Sequence, residues 1–425
     1  MRRVLRAFLP LAIASFALAG CAKREQAVNP SNPTWLSRPG WALGLTFRTP
    51  LAAEQGLTAK ASIEKSTPGI DPLHARVFVG TSDHGLYAVR AGDGSVIWRF
   101  QTGGAVMSEP LYDAQFDVVY FGSDDGGLYA VRASDGGLLF RYATGAEVQR
   151  RPVLVRRPDG RAILVFDNAA DGIFAVDAKT GETRWKHLRT PALGLEIAGH
   201  AGVAYDADRI YAAFSTGRVV AYDVDTGRER WPEVDLTSVG GVSEGEEQRY
   251  FDVDTTPLVY GDRVFVANVT TGIFALDSTA GTQIWRRPEA EGVSWLASYD
   301  EPAHVDLESG ADVPARNLVI AGSGTTGLWA IDPKTGDVRW RRPAPRGTLA
   351  HPVQIAGALL VTSSKLGLFL FDVQSGLPID GIDPGTGFTA GARAYGNRAF
   401  VLTNAGTLLG LEVVPPRKIT STKSW

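Results

Sequence analysis

The sequence predicts an all-β propeller of eight four-stranded antiparallel blades, closed into a ring by a strand from the N-terminal end. Three observations predict it. First, an eleven-residue pattern, AxDxxxGxxxW in its fullest form, recurs as AVRAGDGSVIW (Ala88 to Trp98), AVRASDGGLLF (Ala130 to Phe140), AVDAKTGETRW (Ala175 to Trp185) and AYDVDTGRERW (Ala221 to Trp231). It continues as ALDSTAGTQIW (Ala275 to Trp285), AIDPKTGDVRW (Ala330 to Trp340) and a decayed LFDVQSGLPID (Leu370 to Asp380). Second, successive starts lie 42, 45, 46, 54, 55 and 40 residues apart, the period of a propeller or array. Third, helical periodicity is absent beyond the extreme N-terminus, while 48 glycines, ten tryptophans and 44% hydrophobic residues suit a large β core. A chain of 425 residues suggests two or three domains by length alone, but all-β toroids run long as one domain.

The elements follow in chain order. Arg2, Arg3 and Arg6 precede an apolar run, Ala7 to Ala17, and Leu18-Ala-Gly-Cys21 then places small residues before the only cysteine. The run is too short for a mature membrane span, and the whole resembles a bacterial lipoprotein signal peptide. Residues 1–20 are therefore expected to be removed, with Cys21 acylated and inserted in the membrane. Residues 21–40, rich in Pro, Asn and Ser, read as a flexible tether.

The propeller is expected over residues 41–413. Leu45-Thr-Phe-Arg-Thr49 resembles Ile97-Trp-Arg-Phe100, with Phe47 in the tryptophan position, so this strand is the candidate for closing the ring and removing its exposed edges. Within a repeat, Arg76 to Gly80, Leu86 to Val89 and Val96 to Phe100 are three short runs separated by turns, which reads as hairpins. A fourth strand precedes each trio, as Thr256 to Tyr260 does. The glycine at position seven supplies the positive φ of a tight turn. The aromatic residues at position eleven, Trp98, Phe140, Trp185, Trp231, Trp285 and Trp340, read as wedges between blades. An eighth hairpin, Arg398 to Val413, lacks an outer strand of its own, and residues 414–425 form a polar tail. Seven blades is the alternative count.

Charge and motif content narrow the function. Removing the signal takes three arginines from the 43 basic residues and none of the 46 acidic ones, leaving a net charge near −6. No basic stripe interleaved with aromatics is present, which argues against nucleic acid. The six histidines are scattered without metal-ligand spacing, and the Gly-rich stretch Gly122 to Gly127 sits between strands rather than before a helix, so it reads as a turn and not a phosphate cradle. No cofactor, metal or catalytic set is expected.

The AxDxxxGxxxW pattern resembles the tryptophan-docking repeat of the pyrroloquinoline-quinone propeller superfamily. That resemblance implies either a quinoprotein dehydrogenase or a non-catalytic relative. The quinoproteins are usually longer and many carry a vicinal cysteine pair, which a chain with one lipidated cysteine cannot supply. A calcium-binding set of Glu, Asn and Asp cannot be placed by motif either. The run Asp252-Val-Asp-Thr-Thr-Pro-Leu-Val-Tyr-Gly-Asp-Arg-Val-Phe-Val266 looks like the BamB family of outer-membrane protein assembly lipoproteins, in which a DVDTTP segment helps bind the barrel-assembly protein BamA. An LSLR-like segment of that family is matched by Leu193-Gly-Leu195-Glu196, with both leucines in register and Glu196 where the family has arginine. The resemblance implies partner-binding roles for Leu193, Leu195, Glu196, Asp252 and Asp254. Read by themselves, Asp252 and Asp254 would share one side of an extended strand and require partners for two like charges. Capping of turn amides and simple burial of the leucines are the plainer alternatives.

Two long spacings, 233–250 and 289–316, are acidic and read as loop insertions. The expected function is a non-catalytic scaffold in outer-membrane protein assembly, lipid-anchored at the periplasmic face. Its expected partners are a BamA-like protein and, through open strand edges, nascent outer-membrane proteins. A propeller lipoprotein that binds another envelope protein or a glycan is the alternative, and a quinoprotein dehydrogenase a third.

Overall fold

A computed structural model describes residues 26–27, 42–52, 63–191, 201–237, 253, 255–301, 303–305, 312–343 and 347–414, and among them there are strands and turns but no helix. Eight four-stranded antiparallel blades follow one another along the chain. Blade one takes Gly69–Asp71, Arg76–Gly80, Gly85–Arg90 and Val96–Gln101, and blade two Leu111–Asp113, Val118–Gly122, Gly127–Arg132 and Leu138–Ala143. Blade three takes Val153–Arg156, Ala162–Asp167, Ile173–Asp177 and Thr183–His187, and blade four Val203–Tyr205, Arg209–Ala213, Arg218–Asp223 and Glu229–Asp235. Blade five is Leu258–Tyr260, Arg263–Asn268, Gly272–Asp277 and Gln283–Arg287, and blade six Val293–Glu301, Arg316–Ser323, Gly327–Ile331 and Val338–Arg342. Blade seven is Val353–Ile355, Ala358–Ser363, Gly367–Asp372 and Pro378–Asp383.

Blade eight joins the two ends of the chain. Arg393–Tyr395, Arg398–Leu402 and Thr407–Val414 are completed by Ala42–Pro50. Phe47 pairs with Gly410 across a register shift between Leu45 and Phe47. The same shift sits between the two outer strands of the other blades, for example between Ala175 and Val176, so the N-terminal strand copies the missing one in detail. Eight blades with N-terminal closure are thus established, and the seven-blade alternative falls. Gln26 and Ala27, within the stretch read as a tether, pair with Asp383 and Ile382 on the outer edge of blade seven.

The core is distributed around the ring rather than gathered at one point. Eight apolar clusters are present among the described residues, one at each contact between neighbouring blades. Strand periodicity explains this, because alternate side chains leave opposite faces. In blade one Val77 and Val79 pack toward blade eight while Phe78 packs toward blade two. Both faces are covered, so the second strand of the blade is buried throughout.

An aromatic residue locks one blade to the next at seven of the eight contacts. A Cβ added to Gly136, Gly181, Gly227, Gly281, Gly336 or Gly376 would lie within 2.8 Å of the ring of Trp98, Phe140, Trp185, Trp231, Trp285 or Trp340 of the preceding blade. Gly94 stands in the same way under Phe47. These glycines all have positive φ, from 66° to 75°. Each therefore serves as a left-handed turn residue and as the floor for an aromatic ring.

The indole N–H groups donate to the carbonyl at position four of the next repeat: Trp98 to Ala133 (2.9 Å), Trp185 to Val224 (2.9 Å), Trp231 to Ser278 (3.3 Å), Trp285 to Pro333 (3.1 Å) and Trp340 to Val373 (2.6 Å). Phe140 has no such donor. The Tyr120 hydroxyl supplies it, donating to Ala178 O at 2.8 Å.

One local expectation changes. Residues 289–316 are not simply a loop, since Val293–Glu301 is the long inner strand of blade six and His304–Val305 pairs with Asp312–Val313 beyond it. The buried alternation of Val293, Trp295, Leu296, Ala297 and Tyr299 outweighs the charges around it. The wedges differ in burial: Trp185, Trp231 and Trp340 are buried, and Trp98, Phe140 and Trp285 are half-buried.

Candidate functional site

In an antiparallel blade the connection between the second and third strands and the connection to the next blade emerge on the same face. The two family-like motifs fall on such connections, one before blade four and one before blade five. Leu193, Leu195, Glu196, Asp252 and Asp254 themselves lie outside the described residues, as does Cys21. The ends of both connections are described, and they converge.

The first connection leaves blade three after His187, whose Nε2 is 2.7 Å from Gly227 O and whose ring stacks on Tyr222 at 4.5 Å. Leu188 follows, 66% exposed. Arg189 then donates to Glu233 at 2.5 Å and lies 4.2 Å over the Phe214 ring. Arg218 donates to the other oxygen of Glu233 at 2.5 Å. Burial alone would raise the Glu233 carboxyl, but its hydrogen bonds from Arg189 and Arg218 outweigh that and hold it below the usual range. These residues, with Asp171 and Thr216, border a polar cavity of about 340 Å³. The departing chain is thereby pinned by a charged, hydrogen-bonded cluster.

The second connection leaves blade four after Leu236 and returns through Val253, and both are buried in the cluster between blades four and five together with Ala201, where the first connection returns. Gly202 N–H donates to Thr256 Oγ1 at 3.1 Å. The two connections thus rejoin the ring within hydrogen-bonding distance of each other.

The geometry also divides the Asp252 to Pro257 motif into parts. Thr255 Oγ1 donates to Ala267 O (3.1 Å) and accepts from Ala267 N–H (2.9 Å). Ser108 makes the same pair with Gly122 at 2.9 and 2.8 Å, and Ser66 receives Gly80 N–H at 3.1 Å. The hydroxyl two residues before a proline is therefore a blade-building feature repeated around the ring. Val253 and Thr255 build the blade, while Asp252 and Asp254 lie outside the described residues.

Other chemistry is sparse among the described residues. Asp71, His74 and Asp117 form a cluster of metal-ligand type. Arg76 already occupies its centre, with Nε 2.7 Å from Asp71 and Nη2 2.6 Å from Asp117. Its fixed positive charge does there what a cation would do. Sequence reasoning did not single out the Arg189–Glu233–Arg218 network or the charged residues of the lumen, because neither has a local motif.

Comparison with known proteins gives three kinds of likeness. A family model described as outer membrane protein assembly factor BamB matches residues 82–306 and 271–412. The BamB of Legionella pneumophila (strain Paris) is 25% identical over 207 residues, covering 48% of this chain and 49% of that one. The BamB of Shewanella oneidensis is 26% identical over 338 residues, 73% and 72% of the two chains. The chain thus spans about half the length of one curated relative and more of the other. A quinoprotein ethanol dehydrogenase of Pseudomonas putida is also similar, at 23% identity over 40% of this chain and 36% of its own. In three dimensions the crystal structure of BamB from Moraxella catarrhalis superposes with a TM-score of 0.67 at 18% identity, covering 87% of this chain and all of that one.

Proposed function

This chain belongs to the family of outer membrane protein assembly factor BamB, and from that premise we propose that it is a non-catalytic scaffold in the assembly and insertion of outer-membrane β-barrel proteins. In this reading residues 1–20 are a signal peptide, Cys21 carries the lipid, and residues 21–40 tether the ring of residues 41–413 to the periplasmic face of the outer membrane. The rim at blades three to five docks on a BamA-like partner. Leu193, Leu195 and Glu196 come from one connection, and Asp252 and Asp254 from the other.

The observation that carries the proposal is the Gly202–Thr256 hydrogen bond. It joins the described ends of the two connections to which these motifs belong, which supports reading them as one site. Apolar anchors rimmed by charge are the usual anatomy of a hot spot. Leu188, exposed on the same departing segment, would extend the apolar part. Glu196 reverses the charge that the family carries there, so the facing group on the partner is expected to be basic.

Co-purification of the lipidated protein from its own envelope tests this. A BamA-like barrel should be recovered, and Leu195→Ala combined with Asp254→Ala should weaken its binding by about 30-fold or more, the scale of at least one hot-spot truncation. Recovering no such barrel, or undiminished recovery with the double variant, would rule out the rim.

The similarity to quinoprotein dehydrogenases favours one second reading, an enzyme. Reconstitution with the quinone and calcium followed by a dye-reduction assay decides it. Turnover would replace the scaffold reading.

A further inference from the structure

The lumen holds a charged cluster that neither blade packing nor the rim requires. Glu109 and Arg151 each precede a proline at the head of an inner strand, in blades two and three, and Arg393 opens the inner strand of blade eight. Arg151 Nε lies 2.8 Å from Glu109 Oε1. Arg393 meets the same oxygen. Two guanidinium groups on one carboxylate leave a net positive charge.

A cavity of about 220 Å³ adjoins the three side chains, lined also by Tyr112, Tyr395 and Pro72. Burial pushes the pKa of both arginines down, with Tyr205 partly offsetting the effect at Arg151. Both side chains remain reachable from the cavity, at 42% and 32% exposure for Arg151 and Arg393. The field of Arg151 reaches across the ring to His351 on blade seven, where burial already lowers the imidazole pKa.

We propose that this cavity is a binding site for a small oxyanion, a carboxylate or phosphate group held by the guanidinium forks of Arg151 and Arg393. Planar forks match such anions bidentately. Glu109 acts as the internal counter-charge with which the ligand competes. The site does not rest on the docking reading, since it lies in the lumen and not on the rim.

The test is calorimetric titration of the full chain with inorganic phosphate and, separately, citrate, at low and constant chloride. Saturable binding is expected for at least one of the two, and the stronger tells whether the site prefers phosphate or carboxylate. Glu109→Gln should tighten it by about ten-fold, and Arg151→Gln and Arg393→Gln should each weaken it by about ten-fold or more, as loss of one charge-assisted pair implies. Should Arg151→Gln or Arg393→Gln fail to fold by circular dichroism, Arg151→Lys and Arg393→Lys keep the charge without the fork and should still weaken binding several-fold. Binding unchanged by all of the arginine substitutions, or no saturable binding even in Glu109→Gln, would overturn the proposal.

Discussion

The contact between blades four and five and the contact between blades seven and eight solve one problem with different chemistry. At the first, Trp231 lies over Gly281 and its indole N–H donates to Ser278 O at 3.3 Å, while the Tyr211 hydroxyl, 3.0 Å from the same carbonyl, donates to Asp206 at 2.6 Å. At the second, position eleven is Asp380, and blade eight has no glycine turn to receive a ring because its outer strand arrives from the other end of the chain. Asp380 instead accepts the Leu43 N–H of that arriving strand at 2.9 Å and the Gly381 N–H at 2.8 Å. The apolar cluster beneath is retained, with Leu43 packed against it. An aromatic lock thus needs a continuous hairpin to dock on. Where the hairpin is made from two ends, a carboxylate secures the loose strand.

This contrast is open to direct attack. Trp231→Ala should have the largest effect, about 3–5 kcal/mol of unfolding free energy by urea titration, from lost area and a residual cavity. The half-buried Trp98 should cost clearly less under the same change, and equal losses would mean that the lock is not a matter of burial. Asp380→Ala should come next, at about 1.5–3 kcal/mol for a hydrogen bond to a charged group. Its signature is faster hydrogen exchange at Leu43 and its neighbours in the closing strand. Tyr120→Phe should cost about 1 kcal/mol, because it removes the donor that stands in for the missing indole at Phe140. Phe140→Trp should rescue Tyr120→Phe in a double-mutant cycle.

The smallest effect concerns pH and the turns that carry the glycine floors. Asp177, Asp223 and Asp332 cap turn amides and pair with Arg184, Arg230 and Arg339. Burial would raise these carboxyls, but the arginine and the backbone or threonine hydrogen bonds hold them below the usual range. A lowered folded-state pKa gives stability that is complete above the unfolded value, near 3.9, and is lost as pH falls through the folded one. Asp223→Asn should therefore flatten acid unfolding only below about pH 4, with no change in the pH dependence near neutrality.

The repeat made the ring legible because its two informative positions, glycine and tryptophan, meet each other across neighbouring blades and so recur with the blade period. Phe47 was legible for the same reason. What hid from the sequence was non-local or masked by charge. The Asp380–Leu43 bond joins opposite ends of the chain, the lumen cluster draws on blades two, three and eight, and the inner strand of blade six runs through an acidic stretch. For the rim, Thr255 could be read as part of a binding motif, but the recurrence of its role at Ser108 and Ser66 marks it as blade architecture. Leu193, Leu195, Glu196, Asp252 and Asp254 await the interaction experiments above.

The pairing of Ala42–Pro50 with Thr407–Val414 has a consequence for how the molecule comes into being. Synthesis delivers the first strand of this pair long before its partner, so the ring closes late and the first strand must wait. Long-range pairing of this kind is slow and leaves edges exposed meanwhile. A product cut short anywhere before residue 407 would keep two open strand edges, the very feature that proteases and chaperones engage. The architecture therefore carries its own check for completeness, passed only by a chain translated through its final blade.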